Sequence, residues 1–288
     1  MRILAIVWAV LLLPLAGCMD VDVRIAVKPD GSGTVTERIA MKGPMAQMLR
    51  SMESGEGEGF LNREKAESHA AELGEGVTLQ SITEVPESDG MGGVAVYAFE
   101  DITKLRMNQN PMDGKDPMGE GNDPADGKPE PQMRFAFDPG PPAVLTVVLD
   151  QRATIKKRGG GSKSKPAPAT KQGEKPDPTA EKMLAGIKEM MKGLRISTSV
   201  EVAGNIVETN ASYRDGNRIT LVELEFDKLL ELDPDKAAAL QPGADLEAMK
   251  EMLADVAGVK IELEREVRVV FNPGTVLATA DSLTQPGR

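Results

Sequence analysis

Cys18 and His69 are the only cysteine and the only histidine in this chain of 288 residues. A thiol–imidazole dyad would need these two to meet. One cysteine forbids an internal disulfide, a four-thiolate zinc site, and a finger of two thiolates and two imidazoles. His69 lies in Glu67-Ser68-His69-Ala70 on the polar face of a predicted helix and reads as an exposed helical residue. Asp113, Asp116, Glu120, Asp123 and Asp126, spaced by Gly and Pro, offer the oxygen ligands that calcium takes. Their spacing lacks the alternation and closing Glu of an EF-hand, so the stretch reads as a solvated loop. Residues 156–178 hold seven Lys and Arg against Glu174 and Asp177. Near anionic lipid or lipopolysaccharide phosphates each cation would be worth about 1 kcal/mol; otherwise the stretch is a spacer kept soluble by its charge. No nucleophile elbow, Walker A loop, HExxH or dinucleotide fingerprint is present, and Gly90-Met91-Gly92-Gly93 reads as a turn. A net charge of −11 and a pI near 4.8 exclude nucleic acid, whose phosphates demand a positive field. These residues call for no metal, no cofactor and no enzyme.

What surrounds Cys18 is more specific. Arg2 is a minimal positive region, and Ile3 to Leu13 form an uncharged apolar run of secretory length, too short to read as a membrane span. The run ends in Leu15-Ala16-Gly17-Cys18, which resembles the lipobox of bacterial lipoproteins. The resemblance implies cleavage between Gly17 and Cys18, removal of residues 1–17, and a diacylglycerol on the Cys18 thiol. The membrane is then a partner through the acyl chains, each buried CH2 adding about 0.8 kcal/mol. The residue after the cysteine is Met19, in place of the Asp of the familiar inner-membrane retention signal, which favours the outer membrane, facing the periplasm.

The elements behind this anchor are mostly strands. Val21, Val23, Ile25 and Val27 alternate with polar neighbours, Pro29 to Gly33 form a turn, and Val35, Ile39 and Met41 continue beyond it. This predicts a β-hairpin over 20–41, interrupted by Glu37. Met45, Met48, Leu49 and Met52 have helical spacing after Pro44. Asn62 caps a second helix that Gly74 ends. Strands are expected near 76–85 and 94–105, around a turn-rich 86–93. Residues 108–131 contain five Pro and four Gly and form a disordered insertion. Strands follow at 132–137 and 143–150. Residues 156–178 are a second disordered insertion, a Gly/Lys/Pro linker between an N-terminal part (18–155) and a C-terminal part (179–271) that could complete the same sheet. A helix over 179–192 carries Met183, Leu184, Ile187, Met190 and Met191. A meander is predicted over 194–202, 206–211 and 218–226. A last helix runs through Leu246, Met249, Leu253 and Val256, and a long strand over 259–271 turns Lys260, Glu262, Glu264, Glu266 and Arg268 outward. Residues 272–288 are a tail. The expected class is α+β: a mainly antiparallel sheet with a few amphipathic helices on one face.

Two segments resemble the LppM-type bacterial lipoproteins. One is the strand after the anchor with Pro29-Asp30-Gly31-Ser32-Gly33. The other is Val200-Glu201-Val202-Ala203-Gly204-Asn205-Ile206-Val207-Glu208-Thr209-Asn210 with the turn at Asp215-Gly216-Asn217. The resemblance implies an envelope-facing domain that binds lipid or glycolipid, and it transfers no catalytic residue. With 16 Met in the chain, thioether-lined helix faces suit a greasy groove for a lipid tail or apolar peptide. The expected function is a lipid-anchored, non-catalytic binding module; the alternative is a structural or interaction subunit of an envelope assembly.

Overall fold

The computed structural model describes residues 19–43, 46–47, 51, 62–87, 90–108, 132–149, 192–231 and 256–274. The hairpin forms from β1 (Met19–Val27) and β2 (Gly33–Lys42), paired from Met19↔Met41 to Val27↔Gly33. Its turn closes because Asp30 accepts hydrogen bonds from the Ser32 amide and hydroxyl, and these bonds hold its carboxyl below its ordinary pKa. The helix α1 (Arg63–Leu73) starts where Asn62 Oδ1 accepts from the Glu64 and Lys65 amides, and Gly74 ends it. β3 (Thr78–Glu87) and β4 (Gly90–Phe99) follow, then a 3-10 turn over Ile102–Lys104, β5 (Met107–Asn108), β6 (Gln132–Asp138) and β7 (Ala143–Val148). Most of the expected turn over 86–93 is strand: β3 runs to Glu87, β4 starts at Gly90, and Gly90, Gly92 and Gly93 pair with Lys42, Ala40 and Ile39 of β2.

The chain continues through β8 (Leu194–Val202), β9 (Gly204–Thr209), β10 (Arg214–Asp215), β11 (Arg218–Glu225), α2 (Phe226–Leu230), β12 (Val259–Ile261) and β13 (Glu266–Pro273). Two sheets result. The eight-stranded sheet runs β10-β11-β8-β1-β2-β4-β3, with β12 on β11, and the five-stranded sheet runs β5-β6-β7-β13-β9.

The expected α+β class is therefore corrected: the described residues form a two-sheet β protein. The inner face of the large sheet (Val21, Val23, Ile25, Val35, Tyr97, Ile196, Val200, Ile219) shares one core with Phe135, Leu145, Val147, Val267, Val269 and Phe271 of the second sheet. A second sheet thus supplies much of the apolar cover that helices were expected to give. α1 adds only Ala66, Ala70 and Leu73 to the buried set. Most of the predicted helices near 45–52, 179–192 and 246–256, with all of their Met residues, lie outside the described residues, as do nearly all of 108–131 and the whole of 156–178.

The meander and the long final strand are corrected as well. β8 does not turn back into β9. The chain crosses at Ala203, whose amide donates to Val27 O at 2.8 Å, and β9 enters the other sheet beside β13. β11 instead takes the place beside β8. The final strand breaks at Glu262–Arg265: β12 belongs to the large sheet and β13 to the small one. β1 and β8 run parallel, Met19 beside Leu194 and Val27 beside Val202, an exception to the expected antiparallel order.

Candidate functional site

The first residue of the expected site, Cys18, and Gly17 before it lie outside the described residues, but the strand that starts at Met19 is fully placed. β1 is an inner strand, held on one side by β2 and on the other by β8. Its start at Met19 lies at one end of the sheet. At this end stand Met41 and Lys42, Gly90, Gly193 and Leu194, and α2. The Gly193 amide donates to Asp227 Oδ1 at 2.8 Å, which fixes α2 beside the start of β8.

His69 is not the exposed residue expected. Its side chain is 17% exposed, its Nε2 lies 3.0 Å from Glu37 Oε1 on β2, and its Nδ1 lies 3.1 Å from Glu72 Oε2 one turn on. The ring stands edge-on to Tyr97, centroids 5.6 Å apart. Burial first, then the Glu37 and Glu72 charges, raise the Tyr97 phenol above its ordinary pKa. Glu37 shares the core-facing side of β2 with Val35, so the residue that interrupts the hairpin's alternation is the one that receives the helix. With both imidazole nitrogens within hydrogen-bond distance of carboxylates, one on β2 and one on its own helix, the ring ties α1 to the sheet. Among the described residues, no group of three or more His, Cys, Asp or Glu side chains is arranged to hold a metal ion. The acidic segment with Asp113 and its neighbours, and the basic stretch 156–178, lie outside the described residues.

The other face of the large sheet carries a ladder of charges that the sequence did not single out. Arg38 reaches Asp20 at 3.1 Å, and Ser197 donates its hydroxyl to Asp22. Glu201, 5% exposed at its side chain, lies 4.0 Å from Arg24 Nε and 3.4 Å from an Arg218 nitrogen, and Asn217 adds a donor. Burial, then the neighbouring Arg218, lowers the Arg24 pKa, while Asp22 and Glu201 oppose the shift. Further along, Lys260 at 2.7 Å and Arg195 at 3.0 Å both bind Glu223, and the Lys260 hydrogen bond leads in holding that carboxyl below its ordinary value. The ladder spans five strands and does not converge on one point. The signal for it was present in the alternation itself: Asp20, Asp22 and Arg24 are the polar half of β1.

Glu262, expected on the outward face, is 4% exposed. Its carboxylate accepts from the Ser212 amide at 2.7 Å, the Ser212 hydroxyl at 3.1 Å and the Glu264 amide at 3.0 Å. It is turned inward because the chain changes sheets there and leaves backbone donors that need an acceptor.

Fold and surroundings define a two-sheet β protein whose inner strand begins one residue after a lipobox-like cysteine. No protein-family model matches the chain, and no curated protein matches it. One solved structure aligns with it, the NMR structure of the folded domain of Mycobacterium tuberculosis LppM, over 89% of this chain and 92% of that one. The identity is 12% and the TM-score 0.30. The likeness falls on the group that the hairpin and the 200–210 segment resemble, and it remains a weak resemblance: at that score it decides neither fold nor function. No described helix is long and apolar enough to cross a membrane.

Proposed function

We propose that this protein is a lipid-anchored, non-catalytic binding module of the bacterial cell envelope, held by acyl chains on Cys18 at the outer membrane, facing the periplasm, with an apolar or lipid molecule as its ligand. One observation carries the reading: the first strand of the fold begins at Met19, immediately after the residue that the lipobox pattern marks for lipidation. Cleavage before Cys18 would cost the described fold nothing, since every described strand lies beyond it. The non-catalytic part is supported by how the ionisable groups are used. His69 pins a helix, Glu201 sits between two arginines, and Glu262 closes a corner.

Two measurements test it. Cys18→Ala in a bacterial host should abolish incorporation of an alkyne-tagged fatty acid and leave the signal segment uncleaved by the lipoprotein peptidase; normal processing of that variant overturns the anchor. Residues 19–288, exported behind an ordinary cleavable signal, should carry a lipid mass in native mass spectrometry that disappears on denaturation. A clean apo mass, together with an envelope protein captured by crosslinking, moves the function to an assembly subunit.

A further inference from the structure

We propose that His69 is a pH-operated latch on α1: as the imidazolium it fastens the helix to the large sheet, and on losing a proton it lets the helix open. A neutral imidazole carries one N–H and one lone pair. His69 presents Nε2 to Glu37 Oε1 at 3.0 Å and Nδ1 to Glu72 Oε2 at 3.1 Å. Whichever nitrogen keeps the proton, the other turns its lone pair on a carboxylate oxygen. The imidazolium donates to both, and each bond is charge-assisted. Only the charged ring therefore completes the bridge between β2 and α1.

Apolar burial holds α1 weakly. Of its 11 residues Ala66, Ala70 and Leu73 are buried, and two of these are alanines. Its C-terminal end is tied: the Leu73 carbonyl accepts from the Arg106 amide at 2.7 Å, and Gly74 bridges to Leu105. The middle turn leans on the ring, which stands edge-on to Tyr97. Among the described residues, the titratable groups on the packed faces favour the charged ring. β2 supplies Glu37, and β4 supplies Tyr97, whose raised pKa keeps the phenol neutral while an imidazole titrates. On β3, Glu84 shares that face through its pairing with Gly93 and is exposed. β1 places the uncharged Val21, Val23 and Ile25 there. On α1 itself, Glu72 lies one turn after His69 and Lys65 one turn before it. Beyond the helix, Glu75 and Lys104 pair with each other at 3.4 Å. Burial of the ring opposes its charge, and the two carboxylates in contact with it outweigh that cost.

His69 is the only histidine, so its ring signals identify themselves in an NMR titration of the full chain, purified in detergent without a histidine tag. The ring should change charge above the ordinary imidazole value of about 6.5, and Glu37→Gln and Glu72→Gln should each lower the midpoint. With the latched value raised in this way, the latch is complete below about pH 6.5 and is lost as the pH rises through the higher midpoint. Each unit between the two values lowers the protection of α1 by about tenfold. Hydrogen exchange read by mass spectrometry, corrected for the pH dependence of the intrinsic rate, should show that loss in peptides covering 62–74 and none in peptides of β8. His69→Gln should abolish the pH step in 62–74. A midpoint at or below about 6.5 overturns the latch. So does protection of 62–74 that is constant with pH, or an equal loss in α1 and β8. These readings come from the unsubstituted chain and hold even where a variant does not fold.

Discussion

Glu262→Ala tests whether the corner between the two sheets is held by one carboxylate. The substitution leaves the Ser212 and Glu264 amides without their acceptor at a position that is 4% exposed. An unsatisfied buried donor costs about 1–3 kcal/mol, so two cost about 2–6 kcal/mol. Glu264 is half-buried and Ser212 is exposed, so water reaches part of the site and the lower part of that range applies, about 2–4 kcal/mol. Glu262→Gln keeps one acceptor oxygen and points an N–H toward a remaining donor, so it should fall near 1–2 kcal/mol. Glu266→Ala, exposed at the start of β13, serves as the control and should stay within about 0.5 kcal/mol of the parent. Urea unfolding followed by circular dichroism gives the difference, since the single Trp lies in the expected signal segment. If Glu262→Ala unfolds with the same midpoint as Glu266→Ala, the carboxylate does not hold the corner and the reasoning from its hydrogen bonds fails.

Three further outcomes follow from the geometry. Glu201→Ala leaves the Arg24 guanidinium, 11% exposed, without the carboxylate beside it and should cost about 3 kcal/mol; replacing Arg24 and Glu201 together by Met should recover most of that in denaturant titrations, and equal losses for single and double variants would rule out a coupled pair. Glu223 has a lowered pKa in the folded state, so its contribution is present above the ordinary value of 4.5 and lost as the pH falls below it; Glu223→Gln should flatten the acid limb of the stability–pH curve, and an unchanged limb contradicts the assignment. Gly31→Ala should destabilise by more than Gly76→Ala, although both have positive φ (84° and 80°), because its new Cβ meets the Phe137 ring at 2.9 Å whereas nothing lies within 4 Å at Gly76; equal thermal midpoints would mean that the ring simply moves aside.

The elements whose causes are local were legible in the sequence. The hairpin followed from alternation and the Asp30–Gly31 turn, and the helix at 63–73 from Asn62 and Gly74. What alternation cannot report is which sheet a strand joins, because inward and outward residues repeat with the same period in either. The crossing at Ala203 therefore looked like a hairpin turn, and Glu262-Leu263-Glu264 continued the pattern of Lys260 and Ile261 straight through a corner. The partner of His69 was hidden for a related reason. α1 is polar nearly all round, and only Glu37, the odd residue in an apolar series thirty-two positions earlier, marks where it lands. Nor could spacing show that β1 and β8 are neighbours.

That last pairing has a consequence for the order in which the molecule can be completed. Asp22 waits for Ser197, which is 175 residues away. Until that distant segment docks, the hairpin of β1 and β2, joined by β4 and β3, presents the future centre of the sheet as an open edge. Such edges recruit strands from other molecules unless charge keeps them apart. Asp20, Asp22 and Arg24, spaced along β1, guard the strand while its neighbour is still unmade, and only afterwards become the ladder that stitches the finished sheet.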